Sequence, residues 1–141
     1  MKKLLNNFEL IGIDTNIFIY YLNRRSTFYN LADQLFSTIA KKRLQIVTSI
    51  LTLTELLSFQ APNKLLTRLE EELLLIPNLA LIVVNHEIAK EAARIRRVYQ
   101  LRISDSIHLA TATISKVQVF ITNDKTLIHF KEVPVRLLQP N

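Results

Sequence analysis

Short apolar segments alternate with segments of helical periodicity along the chain, and this alternation limits the fold more than any other feature. Apolar runs between turn signals predict buried strands, and apolar positions three or four apart predict helices that pack on them. The alternation predicts an α/β fold, a three-layer sandwich with a central, mostly parallel sheet, formed by residues 1–141 as a single domain. The predicted strands are 8–13, 45–48, 79–84, 117–122 and 133–138; the predicted helices are 17–22, 27–43, one capped by Ser49 or Thr52 and running toward Phe59, 63–75, 87–99, and one capped by Ser104 and running through Ser115.

Two residue types are scarce, and their scarcity excludes several kinds of site. The chain has one glycine, Gly12, and no cysteine. A phosphate-binding Walker loop and a dinucleotide-binding fingerprint each need several glycines at fixed spacing, so neither can be present. Thiol nucleophiles, disulfide bonds, iron–sulfur clusters and cysteine-ligated zinc are excluded as well. The lack of disulfides suits a reducing compartment.

The chain is basic, with 18 Lys and Arg against 12 Asp and Glu and a formal net charge of +6. Such a charge favours polyanionic partners such as nucleic acid, although many basic proteins bind none. Two lysines near the start precede an apolar run, as in a secretion signal, but Asn6, Asn7, Glu9 and Asp14 interrupt it. No continuous apolar stretch approaches the ~20 residues of a membrane span. We therefore expect a cytoplasmic protein without a membrane segment.

Four acidic residues stand out by position, namely Asp14, Glu55, Asp105 and Asp124. Asp14 and Asp124 each follow a predicted strand, and Asp105 lies at the start of a predicted helix. Ligands of an open parallel sheet bind beyond the carboxyl ends of its strands, so these side chains are expected to lie at or near that edge. Glu55 is the only charged residue within residues 50–59. An ionised carboxylate in so apolar a helix is costly unless it is paired or binds a cation.

Each acid also has a purely structural interpretation. Asp14 and Asp124 could cap helices, Asp105 could interact with the positive end of a helix dipole, and Glu55 could face solvent. The joint pattern favours a functional site. The chain has four aspartates, and only Asp33 lies on an ordinary amphipathic helix.

Carboxylates that converge on one place repel one another, and a bound cation removes that repulsion. All-oxygen ligands suit Mg²⁺ or Mn²⁺ better than zinc, which prefers histidine and cysteine. Such an ion can activate a bound water and neutralise charge on a phosphodiester. The acids and the basic surroundings together predict a metal-dependent nuclease.

Four segments resemble, in order and spacing, the acidic motifs of PIN domains, and above all those of VapC-type toxin ribonucleases. The likeness spans the chain from about Phe8 to Leu138, and the segments are Ile13-Asp14-Thr15-Asn16, Thr54-Glu55-Leu56, Asp105-Ser106-Ile107-His108-Leu109-Ala110-Thr111-Ala112 and Ile121-Thr122-Asn123-Asp124. The resemblance implies a Mg²⁺- or Mn²⁺-dependent endoribonuclease, usually homodimeric and inhibited by a small antitoxin. It implies that Asp14, Glu55, Asp105 and Asp124 bind the metal, with Asn16 and Thr122 as polar helpers.

One departure from the family pattern bears on the number of metal ions. Many PIN domains have a further acid two or three residues after the fourth motif acid, where this chain has Thr126 and Leu127. One metal ion is therefore expected, and a second stays open. A non-catalytic RNA-binding or assembly module with the same fold is the alternative function. A phosphatase is disfavoured because Asn16 stands where such enzymes have a second aspartate.

Basic and histidine residues offer weaker signals. Arg24 and Arg25, and the cluster that includes Arg94, Arg96, Arg97 and Arg102, could contact RNA phosphates or simply form solvated faces. His108 lies three residues after Asp105 on the same helical face, where a packed histidine is favoured over a functional one.

Overall fold

The structure is a computed structural model that describes residues 1–139, apart from the side chain of Lys2. The last two residues of the predicted domain lie outside the described residues. The central sheet confirms all five predicted strands, which are β1 (Leu10–Ile13), β2 (Gln45–Ser49), β3 (Leu79–Ile82), β4 (Val119–Thr122) and β5 (Val135–Leu137). The sheet is entirely parallel where a mostly parallel one was predicted. Four strands are shorter than predicted, because apolar residues such as Phe8 and Val84 lie beyond the paired segments.

Helices connect the strands and cover both faces of the sheet. They are α1 (Lys2–Leu5), α2 (Thr15–Leu22), α3 (Tyr29–Lys42), α4 (Leu51–Leu56), α5 (Asn63–Leu74), α6 (His86–Tyr99) and α7 (Ile103–Ile114), with a 3₁₀ helix at Lys125–His129. The sequence predicted neither α1 nor the 3₁₀ helix, since both are too short to show a helical period. Within residues 1–139, no helix is both long enough and apolar enough to cross a membrane.

The predicted helix caps had different outcomes. Ile50, not Ser49, is the N-cap of α4, although the Ser49 hydroxyl accepts a hydrogen bond from the backbone N–H of Leu51 at 3.1 Å. Thr52 lies inside α4 and does not cap it, and its hydroxyl contacts those of Thr15 and Thr48. The predicted cap at Ser104 is wrong. Extended backbone at Arg102 already ends the preceding loop, so Ser104 falls within the first turn of α7.

The order of strands in the sheet is β3-β2-β1-β4-β5. From the central β1 the chain first builds outward through β2 and β3, and it then returns to the other side of β1 to form β4 and β5. Helices diverge to the two faces of an open α/β sheet at such a reversal, and ligands of these folds bind in the crevice expected beyond the carboxyl ends of the neighbouring strands. Here the reversal falls between β1 and β4, Asp14 and Asp124 follow those two strands, and we call this edge the crevice.

The sheet has a hydrophobic core on each face, which confirms the predicted three layers. Ile11 and Ile13 of β1 belong to one core, with residues of α2, α3, α4 and α5. Phe120 of β4 belongs to the other, with residues of α6 and α7. Gly12 faces this second core, and a Cβ atom there would lie 3.3 Å from Val117 Cγ2 and 3.5 Å from Ala112 Cβ. The one glycine thus lets α7 pack closely against β1.

Candidate acidic active site

Asp14 is buried at the carboxyl end of β1, where it also caps α2. One carboxylate oxygen accepts a hydrogen bond from the Thr15 backbone N–H at 2.9 Å, and the other accepts one from the Thr122 hydroxyl at 2.7 Å. Burial raises the pKa of Asp14 above its ordinary value, while His108 and the Thr122 hydrogen bond oppose that rise. The capping interpretation and the site interpretation therefore both apply to this residue, because its position serves both.

Glu55 lies in the last turn of α4, with 36% of its side chain exposed. Its Oε1 atom accepts a hydrogen bond from the Thr15 hydroxyl at 2.9 Å and is 2.5 Å from Nε2 of His108. The hydrogen bond from His108 is the largest of the effects that lower the pKa of Glu55. Polar partners therefore stabilise this carboxylate in the otherwise apolar segment. Thr15, whose backbone N–H donates to Asp14, links Glu55 to the Asp14 segment.

Asp105 and Asp124 are joined by one arginine. The Arg102 Nε atom donates to Asp105 Oδ2 at 3.1 Å, and Arg102 Nη2 lies 3.9 Å from Asp124 Oδ2. Asp105 is 9% exposed, whereas the Arg102 side chain is 78% exposed. The arginine therefore covers these acids from the solvent side and neutralises part of their charge.

Thr122 and Thr126 organise the loop that carries Asp124. The Thr122 hydroxyl, which donates to Asp14, accepts a hydrogen bond from the Asp124 backbone N–H at 3.0 Å. The Thr126 hydroxyl and backbone N–H both donate to Asp124 Oδ1. Leu127 is fully buried in the core. The two positions at which many PIN domains have a further acid are thus occupied by a donor to Asp124 and by a core residue.

The residue types at this edge suit a hard divalent cation, although Arg102 pairs with Asp105 and Asp124 and His108 contacts Glu55 in the present arrangement. Carboxylate oxygens are the ligands that Mg²⁺ and Mn²⁺ prefer. Asn16 Oδ1 is the one buried side-chain nitrogen or oxygen atom in residues 1–139 without a hydrogen-bond partner. In the part of the chain that the structure describes, no three His, Cys, Asp or Glu side chains are placed to hold one ion. The donor set therefore fits the metal chemically, and binding requires side-chain movement.

The arginines predicted as candidate RNA contacts lie in other places. Arg94 forms ion pairs with Glu91 and Glu132, so neighbouring carboxylates already neutralise its charge. Arg97 is exposed in the last turn of α6. Arg24 and Arg25 line a groove together with residues of α5. Among the arginines of residues 1–139, only Arg102 forms an ion pair with any of the four acids.

Two residues contact the acids although their sequence patterns indicated no specific role. Arg102 appeared only as a member of a basic cluster, although it lies three residues before Asp105, a spacing that brings side chains together at a helix start. His108 was interpreted as a packed histidine. It is indeed 4% exposed, but its ring nitrogen also contacts Glu55. Its sequence signal was the shared helical face with Asp105, whereas its partner on α4 is 53 residues away.

The sequence matches the PIN domain family over residues 11–134. The chain therefore belongs to the PIN domain family, as the four acidic motifs predicted. Members of this family are generally nucleases. No curated protein matches the sequence.

Solved structures with the same fold come from toxin–antitoxin complexes. A chain of VapBC2 from Rickettsia felis, bound to a DNA fragment from the promoter, is 15% identical with a TM-score of 0.75, covering 92% of this chain and 99% of that one. A chain of a toxin–antitoxin complex from Klebsiella pneumoniae is 24% identical with a TM-score of 0.65, covering 87% and 94%. A chain of DNA-bound VapBC from Salmonella typhimurium is 17% identical with a TM-score of 0.71, covering 92% and 98%. These similarities confirm the PIN-like fold.

Proposed function

We propose that the protein is a Mg²⁺- or Mn²⁺-dependent endoribonuclease and the toxin of a type II toxin–antitoxin pair, with residues 1–141 as one nuclease domain. The observation that supports this most is the linkage of the four motif acids at the sheet crevice. Thr122 connects the Asp14 and Asp124 segments, Arg102 connects Asp124 to Asp105, and Thr15 connects the Asp14 segment to Glu55. Four acids from distant parts of the sequence have little structural reason to gather at one place.

The proposed chemistry is hydrolysis of a phosphodiester bond. Asp14, Glu55, Asp105 and Asp124 would hold the ion, which supplies a polarised water and charge neutralisation for in-line displacement. Thr122 keeps the Asp14 carboxylate in one orientation through its hydrogen bond. Arg102 is exposed beside the acids, so its guanidinium can turn from them to a phosphate oxygen. The net positive charge attracts RNA to an edge that carboxylates alone would repel.

Substitution of the buried acids tests the proposal directly. Asp14→Asn and Asp105→Asn should abolish Mn²⁺-dependent cleavage of total RNA, and growth arrest on expression, while the purified variants stay folded by circular dichroism. Asp33→Asn is the matched control, because Asp33 lies on α3 outside the crevice, and it should cleave like the wild type. Cleavage that persists in both acid variants would contradict the assignment.

A non-catalytic RNA-binding or assembly module is the second candidate. The pairing of the acids with Arg102 and His108, without a ready set of three ligands in the described residues, is the observation that favours it. RNA binding measured by fluorescence anisotropy separates the two functions. A binding module holds RNA equally well in EDTA and in Mn²⁺ and releases no fragments, whereas a nuclease produces fragments only with the ion.

We extend the proposal to a small antitoxin, a homodimeric toxin and action in the cytoplasm. The solved neighbours come from toxin–antitoxin complexes. The groove between α2 and α5 places Arg24, Arg25 and Arg68 beside the apolar Leu56 and Phe59, which suits an acidic amphipathic segment. Co-expression with the product of the adjacent gene should give a stable complex that an R24E/R25E variant weakens. Light scattering of the chain alone tests the homodimer.

A further inference from the structure

His108 is buried but makes polar contacts, and its environment differs from that of the other two histidines. Its Nε2 atom is 2.5 Å from Glu55 Oε1 and 3.1 Å from the Thr15 hydroxyl oxygen. His108 is 4% exposed, whereas His86 and His129 are both exposed. A ring nitrogen so close to a carboxylate has to form a hydrogen bond, because burying either group without one is costly.

The partner identifies the atom that carries the proton. An ionised carboxylate has no hydrogen to donate, so the hydrogen bond between His108 and Glu55 requires Nε2 to bear the hydrogen. Both contacts to Glu55, from His108 and from Thr15, fall on Oε1. Among residues 1–139, no hydrogen-bond donor to Oε2 is present. One carboxylate oxygen is thus held by the protein, and the other is available to a ligand.

A row of buried hydroxyl groups extends this contact to the backbone beside Asp14. The Thr15 hydroxyl is 3.0 Å from that of Thr52, which is 2.8 Å from that of Thr48. The Thr48 hydroxyl donates to the Ile13 carbonyl oxygen at 2.9 Å. All three threonines are buried. Because Thr15 and Thr48 donate elsewhere, the single Thr52 hydrogen is donated to only one of them at a time, and the other contact is a close packing of hydroxyl groups. This row of contacts connects Glu55 to the residues on both sides of Asp14 in the sequence.

Glu55 needs support from outside its own helix. Helix α4 has six residues, and Glu55 lies one residue before its end, where short helices are least rigid. A glutamate side chain has several rotatable bonds, so a carboxylate with no partner would sample many positions. Two donors on the same oxygen restrict it to one position.

We propose that His108 is a positioning residue that donates from Nε2 to Oε1 of Glu55 and so keeps Oε2 oriented toward a divalent cation at the crevice. This inference rests on the proposed metal-dependent function. Partners that orient a metal ligand typically change metal affinity or activity by about 10- to 100-fold when they are replaced. The role requires only the N–H group and its location.

Three substitutions distinguish loss of the hydrogen-bond donor from loss of side-chain volume at position 108. In His108→Gln the amide nitrogen reaches about as far as Nε2 and can still donate, whereas His108→Asn is too short and His108→Leu has no donor. Mn²⁺ affinity by calorimetry should stay within about threefold of wild type for Gln and weaken by about 10- to 100-fold for Asn and Leu. His86→Gln is the matched control and should leave the affinity unchanged. Melting temperatures in EDTA establish that each variant is folded.

Kinetics and spectroscopy add readouts that a merely structural role would not change. The kcat for RNA cleavage should fall in the Asn and Leu variants while KM stays near the wild-type value, because the buried ring does not reach RNA. In the metal-free protein, the His108 Nε2–H proton should give a slowly exchanging NMR signal that Glu55→Gln shifts. If Leu fails to fold, the comparison of Gln with Asn decides the question.

The outcomes distinguish the two proposals. Equal Mn²⁺ affinity in the Gln, Asn and Leu variants overturns the positioning role and leaves the proposed function standing. The same result follows if melting temperature falls while affinity and kcat do not. A wild-type protein that binds no Mn²⁺ refutes both proposals. Wild-type binding of Mn²⁺ without RNA cleavage refutes only the nuclease assignment, and the affinity series then still tests His108.

Discussion

Thr122 joins two of the candidate active-site segments through a single hydroxyl group, and its replacement by valine should be costly. The hydroxyl donates to Asp14 Oδ2 and accepts from the Asp124 backbone N–H, and the side chain is fully buried. Valine has nearly the same shape but no hydroxyl. The Thr122→Val variant therefore removes both hydrogen bonds while creating almost no cavity.

The magnitude follows from the two groups that lose their partner. A hydrogen bond to an ionised carboxylate contributes about 1.5–3 kcal/mol, and a buried N–H without a partner costs about 1–3 kcal/mol. Asp124 is only partly buried, so water can reach its N–H and the lower part of that range applies. The free energy of unfolding should fall by about 2–4 kcal/mol, which a domain of ordinary stability survives.

Urea unfolding followed by circular dichroism, at pH 7.5 in EDTA, measures this change. Thr111→Val is the matched control, because Thr111 is equally buried and its hydroxyl bonds to the Ile107 carbonyl one turn back. That carbonyl keeps its helical N–H partner, so the control should lose about 1 kcal/mol or less. Thr122→Ser keeps both hydrogen bonds and should lose about 1 kcal/mol for the missing methyl group.

Activity provides the second readout for Thr122. The serine variant should retain Mn²⁺-dependent RNA cleavage, and the valine variant should lose most of it, since both acidic segments lose their connection. If the free energies of unfolding of Thr122→Val and Thr111→Val lie within about 0.5 kcal/mol of each other, the Thr122 hydroxyl does not have the proposed linking role. A difference of that size is ordinary for substitutions that remove no important contact.

Three further predictions concern packing, charge and pH. Gly12→Val should lower the free energy of unfolding by about 1–3 kcal/mol in urea titrations, because the added methyl groups have no room between β1 and α7; an unchanged midpoint would show that α7 can shift freely. Arg102→Gln should lower the melting temperature in EDTA, because Asp105 and Asp124 lose the guanidinium that pairs with them. For the same reason, the increase in melting temperature on adding Mn²⁺ should be larger than in the wild type. Replacement of the exposed Arg97 by Gln should cause neither change. Arg94 holds the pKa of Glu132 below its ordinary value, so this glutamate adds stability that is present above pH 4.5 and lost as the pH falls through its folded pKa. The melting temperature of Glu132→Gln should therefore fall less steeply than that of the wild type between about pH 5 and 3. An equally steep fall would contradict the prediction.

The order of the elements was predictable from the sequence because it depends on local periodicity. Each strand and each long helix follows from the spacing of apolar residues. The pairing and register of β1 with β4 were not predicted from the sequence. The ends of strands and the cap at Ser104 were predicted less well. Pairing with neighbouring strands sets a strand end, and the backbone at Arg102 sets the start of α7, so neither depends on the local residues alone.

The candidate acids Asp14, Glu55, Asp105 and Asp124 could be selected from the sequence, because their motifs and their positions beside predicted strands and helices are local features. Their partners could not. His108 and Glu55 are 53 residues apart, and Thr122 and Asp14 are 108 apart. Contacts over such separations depend on how the sheet reverses its order at β1, which no local pattern specifies.

The sequence by itself thus determined the family fold and singled out the four acids that we propose carry the chemistry. Only the tertiary structure decided how each acid is held, because hydrogen bonds and ion pairs depend on distances between elements. In the folded chain Arg102 donates a hydrogen bond to Asp105, His108 contacts Glu55, and a row of threonine hydroxyl groups lies beside the Asp14 segment. Periodicity predicts the face on which a side chain lies, but packing between helices and strands decides what it touches.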